Sequence, residues 1–363
     1  VCPYDAISKK ERPCSRACGV KAIGSDEFGR AKIDNEKCVS CGMCMVSCPF
    51  GAISDKSQIY QLARSLKEGN EIIAEIAPAF VGQFGSMEPK DVHAALETLG
   101  FSEVYEVALG ADIGAVSEAR HYAEKVATGE LPFLLTSCCP SWSMLAKKYF
   151  PTMIDNISQE LTPMVATARS IKQEHPDAKV VFIGPCAAKK LEASRRSVRS
   201  DVDFVITFEE LVGMFDAKGI DMGEKENAHS MHDATAAGRG YAVAGGVAGA
   251  IEECLKAYYP DVTPKIIHAE GLAECKKTLA LAKAGKINGC LIEGSLEHSV
   301  VGRGCIIKKG AVIKNCVVLS GAYIGENVHI ENQVVDKHAK ITHVKELTSS
   351  EDRPGYVRRN DTL

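Results

Sequence analysis

The chain has 363 residues, 45% of them hydrophobic and 25% charged, with a formal net charge of −4. That length leaves room for two or three domains with a sizeable core, and that charge gives no electrostatic footing for nucleic acid or an anionic membrane. No apolar run approaches the ~20 residues that span a bilayer, and no signal peptide is visible. The chain opens Val-Cys-Pro without an initiator Met and reads as truncated at its N-terminus. Of its fifteen cysteines, seven lie between Cys2 and Cys48. An odd count with several C-x2-C spacings argues for metal ligation in a reducing compartment and against a secreted disulfide framework. The expected location is the cytoplasm.

Residues 1–55 are cysteine-rich and lack long periodic segments. Cys38-Val-Ser-Cys41-Gly-Met-Cys44-Met-Val-Ser-Cys48-Pro49 is C-x2-C-x2-C-x3-C-P, the spacing of a ferredoxin-like 4Fe-4S domain. Three thiolates come from one loop and the fourth serves a neighbouring cluster. A zinc ribbon would instead want two separated C-x2-C knuckles and no Cys-Pro. Two degenerate copies precede the motif, one at Cys2-Pro3 and one at Cys14-x3-Cys18. Cys48 would ligate a second cluster. Either Cys2 or Cys18 would complete the cluster of Cys38, Cys41 and Cys44, and spacing does not choose between them.

Residues 56–70 predict a connecting helix through Ile59, Leu62 and Leu66. From Glu71 short apolar runs alternate with helical patterns, the texture of an α/β domain. Strands are expected at Ile72–Ala77, Val104–Ala108, Phe133–Leu135, Val180–Ile183, Val205–Phe208 and Ile266–Ala269, continuous in the manner of buried parallel strands. Helices are expected at Asp91–Leu99, Glu118–Ala127 and Leu272–Ala284. Sites in such a domain lie at the carboxyl ends of strands. There the sequence places Thr136-Ser-Cys138-Cys139-Pro-Ser-Trp142 and Pro185-Cys186-Ala-Ala-Lys189-Lys-Leu-Glu192. Three thiols with a cation nearby suit a buried anionic metal centre. Cys254 and Cys275 fall on helical patterns and read as core.

Those two motifs, behind a ferredoxin segment, make residues 1–294 resemble an iron-only hydrogenase. The resemblance implies a reversible H2-forming enzyme supplied by ferredoxin or a similar electron carrier and served by hydrogenase maturation proteins. Its centre would be the H-cluster, a four-iron cubane joined through a cysteine to a two-iron unit. Cys139 and Cys186 would ligate the cubane, while Cys138 would pass protons, a task suited to a thiol with a tunable pKa near neutrality. Lys189 would hydrogen-bond a cyanide ligand, and Ala77, Pro78 and Ala79 would line the two-iron pocket. Glu118 and Ser158 fall at relay positions of the proton path, and His121 stands where the family has an outer glutamate.

The family's third motif, E-x-M-x-C-x-x-G-C, supplies two further thiolates. Here Cys290-Leu-Ile-Glu293-Gly294 is followed by Ser295-Leu-Glu-His-Ser-Val-Val. Without that motif the H-cluster is doubtful and hydrogenase activity impaired. Beyond this point Val300, Ile306, Val312, Val318, Ile324 and Ile330 recur every six residues, with mostly small residues at Gly304, Gly310, Cys316 and Ala322. A hexapeptide period marks a β-helix. With Gly289–Gly304, this tail resembles the left-handed β-helix of a glucose-1-phosphate adenylyltransferase, regulatory-like subunit, which implies a packing role and no catalysis. The expected organisation is a ferredoxin-like domain at 1–55, a connecting helix at 56–70, an α/β domain at 71–294 and a β-helix at 295–363. The joint reads as a junction of two unrelated genes. Two further readings stand beside the enzyme: a non-catalytic 4Fe-4S electron-transfer or assembly protein of hydrogenase-like fold, and a glycogen-pathway interaction subunit.

Overall fold

The computed structural model describes residues 11–221, 231, 234–267, 269, 271–283, 291–292, 295–302 and 305–363. Its cysteine-rich segment is a pair of one-turn helices, α1 (Pro13–Arg16) and α2 (Met43–Val46), around an antiparallel ribbon of β1 (Ile23–Ser25) and β2 (Ala31–Ile33). The expected connecting helix is α3, Ile59–Lys67.

The α/β part is built on a four-stranded parallel sheet of β3 (Ile72–Ile76), β4 (Glu103–Glu106), β5 (Lys179–Gly184) and β6 (Phe204–Thr207), in the order β4-β3-β5-β6. β3 is buried along its whole length and β5 nearly so, which is why these runs are continuously apolar. The helices of this part are α4 (Pro89–Leu99), α5 (Val107–His121), α6 (Pro140–Tyr149), α7 (Pro163–Glu174), α8 (Ala188–Ala193), α9 (Phe208–Lys218), α10 (Ala236–Arg239) and α11 (Gly246–Tyr258), and α12 (Gly271–Lys283) follows them in the chain. Helix α9 starts on a capping box in which Thr207 and Glu210 satisfy each other's backbone N–H groups.

Three expectations change. The Phe133–Leu135 strand reduces to one bridge between Leu135 and Ile157, because Pro132 removes a donor just before it. No strand forms at Ile266, Ile267 or Ala269, in a stretch entered through Pro260 and Pro264. The helix expected from Glu118 begins at Val107, directly after β4, and continues past His121 as a π-helical turn at Tyr122–Val126.

Helix α5 starts early because its small residues let α7 lie against it. Gly110 N–H donates to Thr167 Oγ1 at 3.1 Å, and a Cβ at Gly110 would sit 2.3 Å from Pro163 O and 2.5 Å from Thr167 Oγ1. Gly110→Ala is therefore expected to destabilise this part of the molecule by about 1–3 kcal/mol through overpacking. A lower urea midpoint, monitored by Trp142 fluorescence, checks this.

The chain divides between Ala273 and Glu274 into two compact units. The second contains a parallel β-helix of three four-stranded sheets. It already includes Leu291–Ile292, which pair with Ile306–Ile307. Most successive coils are 17 residues apart, as in Ile306↔Tyr323, Val312↔His329 and Val317↔Val334, while Leu291↔Ile306 spans 15 and Gln333↔Gly355 spans 22. One of the three segments per coil is therefore five residues long, and the strict six-residue phase slips. Ile307, Ile313, Val318, Ile324, Ile330, Val335 and Ile341 fill the interior, whereas Val300, Ile306 and Val312 face out. Cys305, Ala311, Cys316, Ala322, Val328 and Ala339 form a second buried series. Cys305 and Cys316 are thus enclosed β-helix residues. Cys254 and Cys275 are half-buried.

Candidate metal centres

The loop carrying Cys38, Cys41 and Cys44 curls because Ser40 and Gly42 adopt positive φ, 56° and 78°. This turns the three thiols toward a cavity of about 510 Å³, whose wall also carries Cys18, Val20, Ile23 and Ile33. Cys18 Sγ accepts the Ala22 N–H at 3.2 Å, and Cys38 Sγ accepts the Ser40 N–H at 3.4 Å. Burial raises the pKa of Cys41 and of Cys44, and neighbouring thiols add to it: Cys18 and Cys38 at Cys41, and Cys41 and Cys38 at Cys44. Four thiols that repel one another around an apolar-walled cavity, with amides aimed at sulfur, fit a four-iron cluster. Among the described residues no three His, Cys, Asp or Glu converge as a single metal ion requires.

Of the two candidates for the fourth ligand, Cys18 lies on the wall of this cavity. Cys2 lies outside the described residues. Cys14 is buried and, like Cys48, lies off that cavity. Backbone amides of Phe50 and Ala52, with those of Ile53 and Gly51, pull the Cys48 thiol below its ordinary pKa, the state a metal-binding thiolate needs.

The second group of thiols sits at strand ends. Ala77-Pro78-Ala79 follows β3, and Cys186 follows β5 by two residues. The Leu135–Ile157 bridge brings the Thr136–Cys139 turn beside Ser158, whose N–H donates to Leu135 O at 2.8 Å. Glu118 is buried on α5 and hydrogen-bonds Ser158 and the Ser137 N–H. Burial still moves its carboxyl up to about 7. The Cys138 thiol is pushed up to about 12, first by burial and then by Glu118, against the pull of Lys189. Burial thus favours the protonated thiol at Cys138, and the Glu118 carboxyl is the group raised to about 7. Lys189 Nζ donates to Glu192 Oε2 at 2.7 Å and to Cys138 O at 3.2 Å. Cys139 is exposed, and its charge reaches Cys186, whose thiol burial and Cys139 together raise. His121 ends α5, half-exposed.

Glu75 escaped the sequence reading. It is fully buried on β3, neither carboxyl oxygen has a partner, and burial drives its pKa well up against the field of Lys189. The signal was a lone carboxylate inside a continuous apolar strand. A separate cavity of about 420 Å³ lies beside Pro78, Phe80 and Val81 and is also lined by Arg239, which forks onto Glu106 at 2.8 and 2.7 Å.

A family model for the iron-only hydrogenase large subunit, C-terminal domain, matches residues 70–306. The chain belongs to this family. A 4Fe-4S binding domain matches residues 31–54, which include Cys38, Cys41, Cys44 and Cys48. A GlmU-like C-terminal hexapeptide model matches 274–358, overlapping the hydrogenase match over 274–306. Iron hydrogenase 1 of Clostridium pasteurianum is 28% identical over 275 residues, covering 68% of this chain and 48% of that protein. The NADP-reducing hydrogenase subunit HndD of Solidesulfovibrio fructosivorans is 29% identical over 254 residues, 61% of this chain and 43% of its own length. The cytosolic Fe-S cluster assembly factor NAR1 of Meyerozyma guilliermondii is 27% identical over 211 residues, 51% and 40%. The chain thus spans half or less of the length of these three. An apo form of HydA1 hydrogenase from Chlamydomonas reinhardtii superposes with a TM-score of 0.47 at 25% identity, over 59% of this chain and 62% of that one. Among the described residues no helix is long and apolar enough to cross a membrane.

The H-cluster does not fit the donor set of this chain. Its cubane needs four thiolates, one of them bridging to the two-iron unit. The pocket offers Cys139 and Cys186, and the sequence lacks the third motif.

Proposed function

We propose that this protein is an iron–sulfur oxidoreductase of iron-only hydrogenase type, and that the missing thiolates impair H2 chemistry in the chain as it stands. The observation that supports the reading is the convergence of Glu118, Ser158, Cys138 and Lys189 beside Cys139 and Cys186. A cubane held by Cys18, Cys38, Cys41 and Cys44 supplies one-electron transfer. Its cavity reaches Ala187, the residue after Cys186, which gives electrons a short route between the two groups of thiols. Lys190 braces that junction at 2.6 Å from Asp55 and 2.7 Å from Glu210. Glu118 holds a proton near neutrality and would re-protonate Cys138 after that thiol has given its own proton to the reacting centre. Reduced ferredoxin or a similar carrier is the electron partner, and maturation proteins would load a two-iron unit only in a chain that carries the third motif. The 71–294 and 295–363 segments are read as joined from unrelated sources, a reading the overlapping family matches support.

The test is infrared and H2 assay of anaerobically matured protein. The chain as given should show no CO or cyanide bands and little or no H2. A version with residues 295–301 replaced by Met-x-Cys-x-x-Gly-Cys should gain both. Bands and H2 from the unaltered chain would remove the impairment, and failure of the repaired chain would remove the hydrogenase reading. The likeness to cytosolic Fe-S cluster assembly factors, together with the incomplete donor set, favours a second reading as a non-catalytic cluster carrier. Transfer of an intact cubane from this chain to an apo-ferredoxin would support that one.

A further inference from the structure

Helix α6 starts directly after Cys139 and ends against the loop that carries Cys38. Its last turn makes the contact. Lys148 Nζ donates to Cys38 O at 2.8 Å and to Asn35 O at 2.9 Å, and the Tyr149 hydroxyl donates to Lys37 O at 3.1 Å. Burial and then the charge of Cys18 raise the Tyr149 hydroxyl, with Cys38 also contributing, so this turn lies within electrostatic range of the four-thiol cavity. The Lys148 side chain is otherwise exposed, but two carbonyls fix its ammonium on the backbone of a cysteine that faces the cluster site.

We propose that Lys148 sets the reduction potential of the four-iron cluster held by Cys18, Cys38, Cys41 and Cys44, keeping it higher than the loop alone would. Reduction adds one electron to the cluster and transfers no atom. The added negative charge is stabilised by a fixed cation one residue away, while the oxidised form gains less. The carbonyl bonds matter because a free lysine would swing into water, where its field is screened. Lys147, the exposed neighbour on the same turn, provides a control of equal charge and similar position in sequence. The inference needs only the 4Fe-4S site and stands whether or not the chain makes H2.

The test is an EPR-monitored redox titration of the full chain, reconstituted anaerobically with iron and sulfide. Lys148→Met is expected to move the midpoint to more negative potential. Lys148→Arg and Lys147→Met should stay at the parent value, and the Lys148→Met shift should shrink as KCl is raised. An unchanged midpoint in Lys148→Met overturns the proposal. So does loss of iron from Lys148→Met with retention in Lys148→Arg, which would make Lys148 a clamp for the loop. Absence of H2 evolution bears only on the hydrogenase reading.

Discussion

Cys41→Ser is expected to abolish the reduced-cluster EPR signal of the ferredoxin-like segment, and Cys18→Ser to do the same. The effect is all-or-none in kind, because a cubane corner without its thiolate is open to solvent and the cluster decays. Both thiols line one cavity with Cys38 and Cys44, and the charge of Cys18 is felt at Cys41. Cys14→Ser should leave the signal intact, since Cys14 is buried away from that wall. Iron and sulfide content, measured with EPR after anaerobic reconstitution, reads the outcome. A Cys18→Ser protein with full iron and an unchanged spectrum would return the fourth ligand to Cys2 or another donor.

The second large effect separates two adjacent cysteines. In the chain repaired with the third motif, Cys139→Ala should lose the iron of the α/β part, whereas Cys138→Ala should keep the iron and lose turnover. A ligand must be a bound thiolate, but a relay must keep a mobile proton. The two thiols differ in that sense. Cys139 is exposed and its charge reaches Cys186, while the Cys138 thiol is protonated by burial and feels the charges of both Glu118 and Lys189. Iron content and H2 rate, measured on the same preparations, decide it. Equal loss of iron from both variants would show that the pair acts as one ligand unit.

Much of this arrangement was legible in the sequence, for identifiable reasons. The C-x2-C-x2-C-x3-C-P run determines a cluster loop almost by itself, and the apolar runs at Ile72 and Val180 can only be buried strands. The two thiol motifs follow strands or strand-like segments, so they mark the pocket. That Cys18 reaches the cavity wall depends on how α1 folds against α2, which spacing does not show. The early start of α5 was hidden because Val107–Ala111 is apolar enough to pass for strand, and only the close approach to Thr167 shows why it is helical. Glu75 and Lys148 act through tertiary contacts with no periodic signature. The β-helix was visible as a repeat, but its five-residue segment was not, because residues on both faces of these strands are aliphatic.

That 17-residue coil makes the length of the tail a quantised property. Each coil adds one strand to every sheet and advances the stack by about 4.8 Å. An insertion of one complete coil would lengthen the stack and leave the interior series Ile307, Ile324 and Ile341 in register. A change of one residue inside a strand would swap inward and outward side chains along the rest of that strand. Variation in this segment is therefore confined to whole coils or to its corners, and the tail behaves as a spacer graduated in fixed steps.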